Sequence, residues 1–188
     1  MKIRRELLPI VICLVFLVVA REIYPYAGVM VAEIQDGYEQ ETIATGLGGP
    51  TCLVFHNDIL HVCDRDGGRI LTVDGDVLLD GLDHPHGLVF IDGGVVISEE
   101  GELTRYDLNF ENPVTLVDGI PSGNHQTNAV NLLPNGTLVW HSGSTCNLCD
   151  EDDERNAALL WVNSTTGEHG ILATGVRNSF DGVWVDDI

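Results

Sequence analysis

Lysine is all but missing from this chain: the single one is Lys2, and nine basic residues stand against 29 acidic ones, a formal net charge of −20. A surface of that sign repels a phosphate backbone, which excludes nucleic acid as a partner. Acidity of this degree keeps a protein dispersed where salt screens its self-repulsion, so a saline, halophilic habitat is the preferred reading and an ordinary acidic secreted protein the other. Helical periodicity is the second absence. After residue 40 no stretch repeats its apolar residues at a 3.6-residue spacing, which excludes a helical bundle. Long apolar runs are the third. The mostly apolar Leu7 to Ala20 covers 14 residues, and at ~1.5 Å per residue it reaches about 21 Å, short of a ~30 Å hydrocarbon core. Lys2, Arg4 and Arg5 precede it and Arg21 follows. Residues 1–21 therefore read as a signal peptide or an uncleaved membrane anchor, residues 22–40 as a linker, and the remainder as exported to the cell surface or beyond. With 44% hydrophobic residues, the exported part is too apolar for disorder.

What is present is a repeat. A small or acidic residue, then Gly, then a branched apolar residue occurs at Thr45-Gly46-Leu47, Asp80-Gly81-Leu82, Asp118-Gly119-Ile120 and Thr174-Gly175-Val176, with glycine intervals of 35, 38 and 56 residues. Each copy reads as a turn at the end of a strand. Between copies lie four short apolar runs separated by Gly, Asn and Asp clusters. In the second unit they are Pro85 to Phe90, Val95 to Ser98, Glu102 to Asp107 and Val114 to Val117. Four-stranded units at this period in an all-β pattern predict blades of a β-propeller, each burying its faces only against its neighbours. An open solenoid or a small sandwich is the competing architecture. An insertion around Ser144 to Asn156 accounts for the long third interval.

Three units and the first strand of a fourth, Val183-Trp184-Val185, make a partial propeller, since rings close with roughly 4 to 8 blades. Glu41 to Thr45 parallels Gly170 to Thr174, the run that closes unit three, and is predicted as an outer strand awaiting a blade. The expectation is an N-terminal part of a longer protein. If Asn57-Asp58 is a two-residue hairpin turn, Cys52 and Cys63 fall opposite one another and can form a cross-strand disulfide. Cys146-Asn147-Leu148-Cys149 offers only two of the four ligands zinc needs, so a disulfide closing the loop is favoured over a metal site. The acidic run Asp150 to Glu154 lacks the spacing of a calcium loop and reads as a solvated charge run. No metal site is assigned. Asn135-Gly136-Thr137 and Asn163-Ser164-Thr165 are glycosylation sequons.

Candidate chemistry gathers in the loops that lead into the first strand of each unit. His84 and His86 precede unit two, Asn124-His125-Gln126 precedes unit three, and Arg177-Asn178 precedes unit four. In a propeller those loops ring the central channel, so polar groups repeated there predict a ligand site. His56 and His61 flank a hairpin and read as surface or strand residues.

Several stretches resemble a known family. Ile120-Pro121-Ser122-Gly123-Asn124-His125-Gln126, Leu132 to Leu138, Gly143-Ser144, Cys146 to Asp153, Ala157 to Leu160 and Ala173 to Asn178 are similar to the soluble glucose/sorbosone dehydrogenases. Those are six-bladed propellers that use pyrroloquinoline quinone (PQQ) and calcium to oxidise sugars, passing the electrons to an external acceptor. Pro85-His86-Gly87 is similar to the sorbosone-type branch. The resemblance implies that His125 is the base that takes the sugar hydroxyl proton and Arg177 the charge beside the quinone oxygen. It further implies that Asn178, Asn124, Gln126 and His86 are cofactor contacts. The chain departs from the family in carrying Asn124 where an aspartate usually orients the base, and Ser179 where a proline is usual. The calcium ligands and the other basic PQQ contacts would lie beyond Ile188. A non-catalytic binding propeller and a metal-dependent lactonase-like propeller are the alternatives.

Overall fold

A computed structural model describes residues 35–185, so the predicted signal peptide or anchor, Cys13 and most of the linker lie outside the described residues. The chain divides into two units between Thr42 and Ile43. Of the first, residues 35–42 are described and contain a turn in which Tyr38 N–H donates to the Gln35 carbonyl at 3.1 Å. Among the described residues no helix is long and apolar enough to cross a membrane.

The second unit is all β. Among the described residues it has twelve strands: β1 (Pro50–His56), β2 (Ile59–Asp64), β3 (Arg69–Thr72), β4 (Val77–Asp80), β5 (Gly87–Ile91), β6 (Gly94–Glu99), β7 (Glu102–Tyr106), β8 (Val114–Val117), β9 (Val130–Leu132), β10 (Thr137–Ser142), β11 (Ala158–Asn163) and β12 (His169–Thr174). They form three antiparallel sheets, β1-β2-β3-β4, β5-β6-β7-β8 and β9-β10-β11-β12, each in chain order. Their first strands adjoin, with β5 in contact with both β1 and β9. This is the plan of three consecutive propeller blades, each with its first strand innermost.

The middle blade shows why these residues form sheets. Along β6, Val95 and Ile97 pack with Cys63, Ile70 and Phe110 between the first two blades, whereas Val96 packs with Leu138, Trp140 and Leu160 between the second and third. A strand alternates its side chains, so a blade covered on both faces needs an unbroken apolar run. Trp140 Nε1 donates to Ser98 Oγ at 2.6 Å, and Ser98 Oγ donates to the Asn128 carbonyl, which ties the second and third blades together in their shared core.

The repeated phrase has a structural purpose. Gly46, Gly81, Gly119 and Gly175 all have φ between 65° and 81°, the left-handed region glycine enters without a Cβ clash. In the three blades the following residue then turns back: Leu82, Ile120 and Val176 N–H groups donate to the carbonyls of Gly68, Gly101 and Ala157 at 2.9, 3.3 and 2.9 Å. Those acceptors also have positive φ and precede the third strand of their own blade. The phrase thus staples the exit of each outer strand to a turn nearer the axis.

Two runs expected as strands of incomplete blades do not join a sheet. Residues 41–45 and 183–185 form no ladder in the described structure. An extended apolar run becomes a strand only when another backbone satisfies its N–H and C=O groups, and composition does not specify that partner. The segment before 183 does lie alongside β9, because Asn131 Nδ2 donates to Asp181 Oδ1 at 2.8 Å and to the Gly182 carbonyl at 2.9 Å.

Candidate functional site at the channel mouth

The loops leading into β5 and β9 and the segment after β12 meet at one end of the inner strands. A cavity of about 430 Å³ there is lined by His84, His86, Asn124, His125, Gln126 and Asn178, with Thr51, Arg65, Glu100 and Phe180 among the others. Five of the six residues assigned to chemistry or cofactor binding are therefore neighbours. Arg177, the sixth, is exposed and does not line this cavity, although its carbonyl accepts from Ser144 N–H at 3.0 Å.

His125 is held by backbone and side chain. Its N–H donates to the Ser144 carbonyl at 3.0 Å, and Asn124 N–H donates to the Thr145 carbonyl at 3.0 Å, so the leading loop forms a bridge with the start of the insertion. The segments lie so close that a Cβ on Gly143 would stand 1.6 Å from the His125 carbonyl oxygen. The His125 ring donates through Nε2 to Asn147 Oδ1. That leaves Nδ1 as the basic nitrogen. Asn124, in the place of the family's usual aspartate, is exposed; the imidazole is oriented from 22 residues away instead.

Asn147 belongs to a braced loop. Cys146 and Cys149 form a disulfide around it, and Cys52 is joined to Cys63 in the register Cys52↔Cys63. Glu151 accepts from Ser144 Oγ at 2.5 Å and from Thr145 Oγ1 at 2.6 Å. Asp153 pairs with Arg155 at 2.6 Å, and Arg155 donates to the Asp118 and Gly119 carbonyls. Two members of the acidic run thus anchor the insertion.

His86 is buried, donates its backbone N–H to the Ser98 carbonyl at 2.8 Å, and has no hydrogen-bond partner at Nε2. Burial, with smaller contributions from Arg65 and His84, pushes its imidazole down to about 4, so it is neutral at pH 7. The Gln126 amide nitrogen is likewise buried without a partner. Asn178 Oδ1 accepts from Thr127 Oγ1 at 2.5 Å. At the rim, His84 Nδ1 lies 2.9 Å from Asp83 Oδ1 and 3.7 Å from Glu100 Oε1. Away from the site, His61 is buried against Phe110 rather than at the surface, and His56 stacks on Phe90 at 3.8 Å.

No protein-family profile matches the chain, and no curated protein matches it in sequence. Similarity appears in solved structures. A structure of a nidogen/laminin complex superposes with a TM-score of 0.56 at 18% identity, covering 76% of this chain and 55% of that one. A protein assigned by family as a gluconolactonase superposes with a TM-score of 0.57 at 16% identity, covering 75% and 54%. At such identities the likeness establishes fold alone, and the fold is a β-propeller. The chain spans about half the length of these structures.

Proposed function

We propose that the channel-mouth cavity is a sugar-oxidation site of the PQQ-dependent type, the activity implied by the resemblance around His125 and Asn178. One observation carries the reading: His86, Gln126, His125 and Asn178 line a single cavity in which the side-chain nitrogens of His86 and Gln126 lack partners. Buried polar atoms without partners are costly, and an oxygen-rich ligand such as a quinone carboxylate or a sugar would satisfy them. PQQ, when bound, supplies the hydride acceptor.

The chain's own residues do the rest. His125, held by Asn147 with Nδ1 free, takes the proton from the sugar hydroxyl as the carbon loses hydride. Gln126 and His86 bind polar oxygens and fix orientation, whereas Arg177 does not line the cavity. The described residues offer no fit for calcium. The Cys146 and Cys149 sulfurs are committed to each other, and the remaining cluster, Asp83, His84 and Glu100, includes an imidazole where calcium takes oxygen.

Reconstitution of the full chain with PQQ tests the proposal. A shift in quinone absorbance together with dye reduction on adding aldoses is expected, and His125→Ala should lower turnover by roughly 100-fold or more. Neither shift nor turnover would overturn the reading, and an unchanged rate in His125→Ala would remove the base. Lactone cleavage is the second reading. It is favoured by the Asp83, His84 and Glu100 cluster, whose ligand atoms lie within 4.8 Å of one another at the cavity rim; lactone hydrolysis that is lost on chelation would select it.

A further inference from the structure

A second constellation joins β9 and β10 of the third blade to the segment after β12, and it does not rest on the preceding proposal. His141, in β10, is buried among polar partners. Its Nδ1 lies 2.7 Å from Ser179 Oγ, and its Nε2 lies 2.8 Å from Asn131 Oδ1. Asn131 is fixed in turn, since its Nδ2 already donates to Asp181 Oδ1 and to the Gly182 carbonyl.

Proton placement follows from these bonds. The amide nitrogen of Asn131 is committed to two oxygens, so the atom facing His141 is the carbonyl oxygen, which can only accept. His141 must then carry its proton on Nε2. Its Nδ1 is a lone pair aimed at the Ser179 hydroxyl, which donates to it. The arrangement supplies a nucleophile, a base within hydrogen-bond reach and a third group that holds the base in the required tautomer. Burial lowers the affinity of His141 for a second proton, against the opposing pull of Asp181 and of the Ser179 backbone.

Ser179 is half-buried and stands between Asn178 and Phe180, which line the cavity described above although Ser179 itself does not. Phe180, Asp181, Gly182 and Asn131 also line a cavity of about 650 Å³ along the inner strands, whose walls include Val54, Leu88 and Val130. Ser179 is also the residue at which the chain departs from the proline of the family it resembles.

We propose that Ser179 is a nucleophilic serine activated by His141 and positioned through Asn131, and that it accepts acyl groups from small, largely apolar esters or lactones. Ser179 Oγ bonds to the carbonyl carbon while its proton passes to His141 Nδ1. The acyl carbon–oxygen bond then breaks, and His141 returns the proton to the departing alkoxide. Water repeats the two steps on the acyl-serine, releasing the acid and restoring the hydroxyl, with no net change of oxidation state.

The test is covalent labelling of the full chain with an alkyl fluorophosphonate, read by intact mass and peptide mapping. One adduct, on the peptide containing Ser179, is expected. It should vanish in Ser179→Ala and slow by about 100-fold in His141→Ala. Ser179→Ala loses a hydroxyl and its bond to His141, about 1 kcal/mol, and should stay folded, so its result is interpretable even if His141→Ala fails to fold. An unlabelled Ser179 in the folded parent, or labelling at parental rate in a folded His141→Ala, would overturn the proposal. PQQ binding does not enter this readout.

Discussion

Replacing Gly143 with alanine tests the way the insertion holds His125. The new Cβ would stand 1.6 Å from the His125 carbonyl oxygen, 2.7 Å from its carbonyl carbon and 3.1 Å from Gln126 Cα. All three are backbone atoms, so no flexible side chain can swing away. Ordinary contact begins near 3.4 Å, which means that the two segments must part by about 1.8 Å. That separation breaks the bridge bonds Asn124 N–H to Thr145 O and His125 N–H to Ser144 O, each 3.0 Å long. Two lost backbone bonds at about 1 kcal/mol each and about 1–3 kcal/mol of overpacking predict a destabilisation of roughly 3–5 kcal/mol. For a domain of this size that lowers the melting temperature by about 6–20 °C. The assay is thermal unfolding by circular dichroism, with Gly93→Ala as control. Gly93 has φ of 71° but open space around its Cβ, so its substitution costs only about 1–2 kcal/mol of left-handed strain. Native hydrogen exchange at the His125 amide should rise in Gly143→Ala and stay unchanged in the control. A Gly143→Ala protein melting within about 2 °C of the parent would refute the close approach.

Other consequences are open to measurement. Asn147→Ala should free the His125 imidazole, and nitrogen chemical shifts should move from the single Nε2–H tautomer to a mixture; an unchanged tautomer would show that the loop does not orient the ring. His86 is held down to about 4 in the fold against about 6.5 free. Its contribution is therefore full above pH 6.5 and falls as the pH drops toward 4, by roughly 3 kcal/mol. Denaturant unfolding from pH 7 to 4 should show this fall in the parent and lose that share of it in His86→Gln. Joint replacement of Cys52 and Cys63 by serine opens a link across 11 residues and should cost about 2–3 kcal/mol, read as a lower denaturant midpoint.

The blades were legible in the sequence because each physical signal had a local cause. Val95, Val96 and Ile97 announce a strand buried on both faces, and Gly93 and Gly101 punctuate it. Asn57 and Asp58 take φ of 49° and 62°, the two-residue turn that sets Cys52 opposite Cys63. Runs 41–45 and 183–185 form no ladder because an apolar run says nothing of the backbone that must lie beside it. The channel mouth was legible as a set of loops, since His86, Asn124 to Gln126 and Asn178 occupy one place in successive repeats. Its orientation was not: Asn147 reaches His125 from inside an insertion that has no counterpart in the other units. His141 and Ser179 lie 38 residues apart. The available clue was a histidine beside Trp140 in a strand with a buried apolar centre.

Every ladder in the fold joins strands that follow one another in the chain, and each sheet is cinched by the bond that Leu82, Ile120 or Val176 returns to its own turn. A polymer wired in this way grows by accretion, one module docking on the last, with little entropy lost in joining remote segments. Among the described modules the middle one is sandwiched on both sides, so its amide protons should be the last of the three to exchange.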